Sequence, residues 1–123
     1  MQDTYNELQE KRKKLTDLIH YLRVNNKKLA KAERDYRMEL SKTILQLNTE
    51  GFEGEIDGKE YDTSNVAWTS TWNLARGLPE VAELRYERDI AEGEREATMQ
   101  KIYQVKKDID HLMEEMKAIR KGE

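Results

Sequence analysis

Residues able to do chemistry are few in this chain, and their spacing removes most reaction classes. There is no cysteine, and the only two histidines, His20 and His111, stand far apart in sequence. That excludes disulfides, thiolate metal ligands and a cysteine nucleophile, and it leaves no histidine pair at a metal-binding interval. No phosphate loop and no nucleophilic triad can be assembled. Two groups remain. The first is Glu33 with Arg88 and Arg95, charges set into otherwise apolar patterns. They could hold an anion or a partner's charged residue, but arginine does not titrate near neutral pH and no nucleophile accompanies them, so acid-base catalysis is not expected. The second is Trp68, Trp72 and Arg76, spaced so that one helical face would carry all three. Tryptophan and arginine are enriched at interaction hot spots. No catalytic residue, metal or cofactor is expected.

Two long helices must position these groups. From Pro79 to Lys121 the apolar residues fall into two interleaved seven-residue series, Val81, Ile102, Ile109 and Met116 in one, Leu84, Ala91, Val105, Leu112 and Ile119 in the other. A repeat of 3.5 residues keeps one stripe facing a partner helix. Residues 3–48 carry a matching ladder, Leu8, Leu15, Leu22, Leu29 and Tyr36, with a companion series at Tyr5, Ile19, Leu40 and Leu47. Asp3 or Thr4 is the expected N-cap, with Glu7 in the capping-box position. A helix of about 45 residues is roughly 67 Å long, so the two are matched in length. The fold class is therefore mainly α: a long antiparallel helical hairpin, or coiled coil, in one domain, with helices over 3–48 and 79–121 and a small tip over 49–78.

Polar residues interrupt both ladders, Arg12, Asn26 and Glu33 in the first and Arg88, Arg95 and Thr98 in the second. If Tyr5 faces Ile119 and Leu47 faces Val81, opposed position numbers sum to roughly 124 to 128, which sets Glu33 near Arg95 and Arg88 near Tyr36 and Glu39. Glu33, Asn26, Arg88 and Arg95 then read as register devices of the seam. The same register leaves His20 and His111 off the ladders as exposed bystanders.

The tip opens with Gly51, Gly54 and Gly58, which end the helical pattern. Asp57-Gly58 between stretches carrying Phe52, Ile56 and Tyr61 suits a type I′ turn and a small β-hairpin. Ser64 or Asn65 could cap a short helix bearing Val66, Trp68, Trp72 and Leu74. Gly77-Leu78-Pro79 then stops that helix and restarts the chain, with Pro79 at the first helical position and Glu80 in the first turn. Phe52, Tyr61, Trp68, Trp72 and Arg76 are the candidate partner-binding residues. Packing a cap over the end of the hairpin is the plainer role for the same side chains.

Charge narrows the partners. Lys, Arg, Asp and Glu make up 38% of the chain at a net charge of -3, and the isoelectric point is near 5.6. Strict periodicity argues for charged helices over disorder. The basic runs Lys11-Arg12-Lys13-Lys14 and Lys27-Lys28 with Lys31 and Arg34 permit phosphate contact, but no aromatic platform accompanies them, so nucleic acid is the lesser expectation. No apolar run approaches the ~18 residues of a membrane span, and the N-terminus lacks a signal-peptide pattern, which predicts a soluble cytoplasmic protein without membrane contact. A two-stripe hairpin has a narrow core, which predicts homo-oligomerisation, and Leu18, Val24, Met38, Leu45, Met99, Tyr103 and Met113 lie off the ladders as a second surface.

The segments Ala32-Glu33-Arg34-Asp35-Tyr36-Arg37-Met38-Glu39-Leu40, Leu74-Ala75-Arg76-Gly77 and Val81-Ala82-Glu83-Leu84-Arg85-Tyr86-Glu87-Arg88-Asp89-Ile90-Ala91-Glu92 occur in an order that resembles a group of small accessory proteins of temperate phages and prophages of Gram-positive bacteria. The insertion with the Asp57-Gly58 turn and Trp68 departs from that group. The resemblance transfers no activity. It implies a non-enzymatic protein in the cytoplasm of a host bacterial cell that binds a host or phage protein, including as an inhibitor of an antiviral defence system. The alternatives are a nucleic-acid-binding protein of phage replication or recombination, and a virion or scaffold component.

Overall fold

A computed structural model of the protein describes the backbone of residues 1–50, 53–56, 59–62 and 68–122, and the side chains of residues 1–49 and 71–122. The chain is mainly α. Helix α1 covers Gln2–Glu50, strands β1 and β2 cover Glu53–Ile56 and Lys59–Asp62, and helices α2 and α3 cover Trp68–Gly77 and Pro79–Gly122. It divides into two compact units, one formed by Met1–Lys27 with Glu92–Glu123, the other by Lys28–Ala91.

In the first unit the start of α1 lies antiparallel to the end of α3, with Lys11 Nζ 3.4 Å from Asp108 Oδ2 and Asn25 Nδ2 2.6 Å from Thr98 Oγ1. The seam of α3 is the one its periodicity predicts. Thr98, Ile102, Val105 and Leu112 are buried, and Arg95, Ile109, Met116 and Ile119 half-buried.

The companion series of α1 is displaced by one residue in this unit. Thr4, Lys11, Leu18 and Asn25 turn inward with Leu8, Leu15 and Leu22, whereas Tyr5, Arg12, Ile19 and Asn26 are exposed. Leu18 is therefore a seam residue and not part of an outer surface, and the buried polar residue is Asn25 instead of Asn26. Adjacent positions offer equivalent side chains at Leu18/Ile19 and Asn25/Asn26, so the pattern alone does not set how far α1 rotates about its axis. The helix also begins earlier than expected. The Tyr5 N–H donates to the Met1 carbonyl at 2.9 Å, so Asp3 and Thr4 lie inside the first turn, where the Asp3 carboxylate complements the helix dipole without capping it.

The second unit has an apolar core of Tyr36, Leu40, Leu47, Leu74, Ala75 and Val81, with Ile44, Leu78 and Leu84 packed against it. Burying each large side chain of this kind contributes roughly 1.5–3 kcal/mol. Along α1 the inward residues are Leu29, Ala32, Tyr36, Leu40, Thr43 and Leu47. Two successive four-residue steps, Ala32 to Tyr36 to Leu40, interrupt the alternation of threes and fours. Such a stutter locally relaxes the left-handed supercoil.

Helix α2 buries Thr71, Leu74 and Ala75, an i, i+3, i+4 face, and Leu78 continues it. Pro79 starts α3 as its sequence context predicts. The Leu78 carbonyl accepts the Ala82 N–H at 2.8 Å, making Leu78 the N-cap and Pro79 the first helical residue, which has no N–H to leave unpaired. Strands β1 and β2 pair antiparallel, Glu53 opposite Asp62 and Ile56 opposite Lys59. The Asp57-Gly58 turn and Ser64, Asn65 and Val66 lie outside the described residues.

Candidate functional site

Within the second unit, Glu33, Tyr36, Arg37, Leu40 and Ser41 of α1, Trp72 and Arg76 of α2, and Arg88 of α3 line a concavity of about 430 Å³. Each element contributes for a local reason. Glu33, Tyr36, Arg37 and Leu40 recur at i, i+3, i+4 and i+7, which is one face of a helix. Trp72 and Arg76 are four apart on α2, whose burial of Leu74 and Ala75 orients the helix. Arg88 occupies a seam position of α3 and reaches out of it.

The charges are ordered by close contacts. Arg37 Nε donates to Glu33 Oε1 at 2.9 Å, and Arg88 Nε lies 3.7 Å from Glu33 Oε2. The Arg88 guanidinium also sits 4.6 Å from the centre of the Tyr36 ring and donates from Nη2 to Asp89 Oδ1 at 3.0 Å. That hydrogen bond to Asp89, with the carboxylates of Asp89 and Glu33 beside it, raises the Arg88 pKa above its ordinary value against the opposing effect of partial burial. Arg88 is thus a permanent cation.

Arg76 differs from the other two arginines. Its Nε is shut off from solvent and has no hydrogen-bond partner. A buried donor left unpaired costs about 1–3 kcal/mol, more when it is charged. Trp72 beside it is 46% exposed, an unusual exposure for an indole. Three guanidinium groups, one carboxylate and an uncovered indole can hold an anion against an apolar wall. The single carboxylate, Glu33, is engaged by two arginines and is poorly placed to act as a base for the Ser41 hydroxyl.

Two groups that the sequence separates therefore meet: Glu33 and Arg88 from the seam, Trp72 and Arg76 from the tip. Arg95 and Asn26 do not join them. They bond to one another in the first unit, Arg95 Nε to Asn26 Oδ1 at 2.7 Å, and the partners of Glu33 are Arg37 and Arg88 instead of the expected Arg95. The difference is one of register: the pairs Lys11–Asp108, Asn25–Thr98 and Asn26–Arg95 in the first unit and Glu33–Arg88 in the second have position numbers that sum to 119 to 123, below the 124 to 128 that Tyr5 opposite Ile119 and Leu47 opposite Val81 would give. Phe52 lies outside the described residues, and Tyr61 and Trp68 are described by backbone alone. Sequence reasoning misses Arg37 and Leu40, although their i+4 and i+7 relations to Glu33 are a visible signal, and Ser41, for which no signal exists.

The first unit carries a smaller groove of about 230 Å³ between Tyr5, Leu8 and Arg12 of α1 and Met113, Met116, Lys117 and Arg120 of α3. Tyr5 was expected to lie buried opposite Ile119. It is 46% exposed and forms a wall of this groove. His20 and His111 are exposed, and among the described residues no group of three His, Cys, Asp or Glu is placed to hold a metal ion. Among the same residues no helix is long and apolar enough to cross a membrane. No family model, no curated protein and no solved structure matches the chain.

Proposed function

We propose that this chain is a non-enzymatic interaction protein that binds and modulates another protein through the surface around Trp72. The observation that carries the reading is the half-exposed Trp72 indole beside Tyr36 and three arginines, in a concavity whose one carboxylate among the described residues is already paired. Tryptophan, tyrosine and arginine are the residue types that dominate binding energy at protein interfaces. A partly open apolar wall with fixed cations suits recognition, whereas a reaction needs a nucleophile or a free base. The sequence resemblance to phage accessory proteins supports a host or phage protein of the bacterial cytoplasm as the partner, and inhibition of an antiviral defence system is the specific form of the reading.

Self-association belongs to the same proposal. Met38, Leu45, Tyr86 and Ile90 are between 44% and 64% exposed in the second unit, and Met38 and Leu45 are one heptad apart on the side of α1 opposite its buried stripe. Large apolar groups so uncovered in a chain of mean hydropathy -1.01 support a covered face in solution. Affinity capture from phage-infected cells, with wild type beside Trp72→Ala, tests the partner reading. The expected result is a specific protein captured by the wild type and lost by the variant at unchanged helical circular dichroism. Equal capture by both moves the interface away from Trp72.

A further inference from the structure

We infer that the concavity lined by Trp72, Arg76, Arg37 and Arg88 takes a single carboxylate, an aspartate or glutamate side chain of the partner protein, with an apolar neighbour of that residue lying on the Trp72 indole. The inference deepens the interaction reading above and rests on it.

Arg76 carries the argument. It lines the concavity with no carboxylate partner among the described residues, while Arg88 and Arg37 are already supplied with carboxylate oxygens. Among the described residues the lining holds three guanidinium groups against one carboxylate, a positive excess concentrated on Arg76 and on the groups of Arg37 that Glu33 leaves free. A guanidinium presents its donors as a planar fork, which a carboxylate matches with two parallel bonds. An incoming carboxylate would pair with the terminal nitrogens of Arg76, through which that residue lines the concavity, since its Nε is closed to any oxygen of water size.

The surroundings select a protein side chain over a nucleic-acid strand. Residues 28–91 contain thirteen acidic and nine basic residues. Asp35, Glu39 and Asp89 stand on the helices that form the concavity, and Glu33 lines it. A polyphosphate needs a continuous basic track, and here the phosphates flanking the first would meet carboxylates. One carboxylate can be met by the guanidinium groups, because Glu33 is already neutralised by Arg37 and Arg88. The exposed indole then covers the apolar atoms next to it, a division of labour seen wherever a polar anchor sits beside an aromatic wall.

The test uses the full chain carrying Trp68→Phe, so that Trp72 is the sole indole, with the Arg76 Nε–H followed by nitrogen-15 NMR. The probes are acetyl-Leu-Glu-Leu-amide, its glutamine counterpart acetyl-Leu-Gln-Leu-amide, and a short oligothymidylate. The glutamate peptide is expected to change Trp72 fluorescence saturably and to shift the Arg76 Nε resonance, with a dissociation constant at least tenfold below that of the glutamine peptide. Arg76→Lys, which keeps the charge and removes the fork, is expected to weaken the glutamate peptide about tenfold, and Arg76→Ala more, at unchanged circular dichroism. Equal affinity for the two peptides, no saturable binding of either, or a response confined to the oligothymidylate overturns the inference. Partner capture separates it from the broader reading. A partner retained equally by wild type and Arg76→Lys leaves an interaction protein without this carboxylate site, and peptide binding without any captured partner leaves the site without that function.

Discussion

Asn25 and Thr98 share a hydrogen bond between two buried side chains on the seam of the first unit, Asn25 Nδ2 to Thr98 Oγ1 at 2.6 Å, while the Asn25 carbonyl oxygen stays buried without a partner among the described residues. The Thr98 hydroxyl in turn donates to the Glu94 carbonyl at 3.0 Å, so its lone pair is aimed at Asn25. Thr98→Val keeps the shape and strands the Asn25 amide, and is expected to lower stability by about 1–3 kcal/mol. Asn25→Leu with Thr98→Val removes both polar groups and is expected to match or exceed the wild type. Urea denaturation of the three proteins checks the order, and a double variant weaker than Thr98→Val would show that the pair stabilises the seam outright.

Beyond its hydrogen bond to Asp89 on the same helix, Arg88 has two neighbours on α1 that compete for the credit of holding it, the Tyr36 ring and Glu33. The Arg88–Glu33 contact is long at 3.7 Å and the Glu33 side chain is 34% exposed, so solvent screens it to under about 0.5 kcal/mol. The stack on the buried Tyr36 is worth about 0.5–1 kcal/mol. Double-mutant cycles should therefore give a larger coupling for Arg88→Ala with Tyr36→Leu than for Arg88→Ala with Glu33→Gln. The reverse order would make the ion pair the dominant contact.

Asp108 titrates below its ordinary value of 3.8, first because Gln104 Nε2 donates to its carboxylate at 3.0 Å and then because Lys11 lies beside it. A carboxylate whose folded-state pKa is lowered favours the folded state above the unfolded-state value and loses that contribution as pH falls through the folded-state value. The window is thus on the acid side of 3.8. Carbon-13 NMR titration should find Asp108 returning toward the ordinary value in Gln104→Ala, and by less in Lys11→Met. An unchanged titration in Gln104→Ala would assign the shift to Lys11 alone.

Gly93 lies in the interior of α3, exposed, and a Cβ added there would meet no atom within 4 Å. Gly93→Ala is expected to raise stability by about 1 kcal/mol through helix propensity and the smaller entropy of the unfolded chain. Thermal unfolding followed by circular dichroism checks it, and a lower midpoint would mean that another molecule approaches the helix closely at that point.

Much of the helical architecture is legible in the residues alone, because a hydrophobic stripe is a local property. In α3 every ladder position from Val81 to Ile119 is buried or half-buried, including the polar steps Arg88, Arg95 and Thr98, since Met99, the large apolar residue beside them, has Glu92 and Lys106 one heptad away and continues no rival stripe. The start of α3 at Pro79 is equally local, written in a residue with no N–H to lose. In α1 the sequence determined the series Leu8, Leu15, Leu22, Leu29 and Tyr36, but not its companion. Leu18 with Ile19, and Asn25 with Asn26, are alternatives of nearly equal local energy, and the facing side chains choose between them through packing that no local pattern encodes. The meeting of Trp72 and Arg76 with Glu33, Arg37 and Arg88 is of the same kind. Three helices far apart in sequence converge there, and the stutter at Tyr36–Leu40 turns the α1 face that receives them. The residue types named the candidates, and only tertiary packing decided which of them would meet and that one buried arginine nitrogen would have no partner among the described residues.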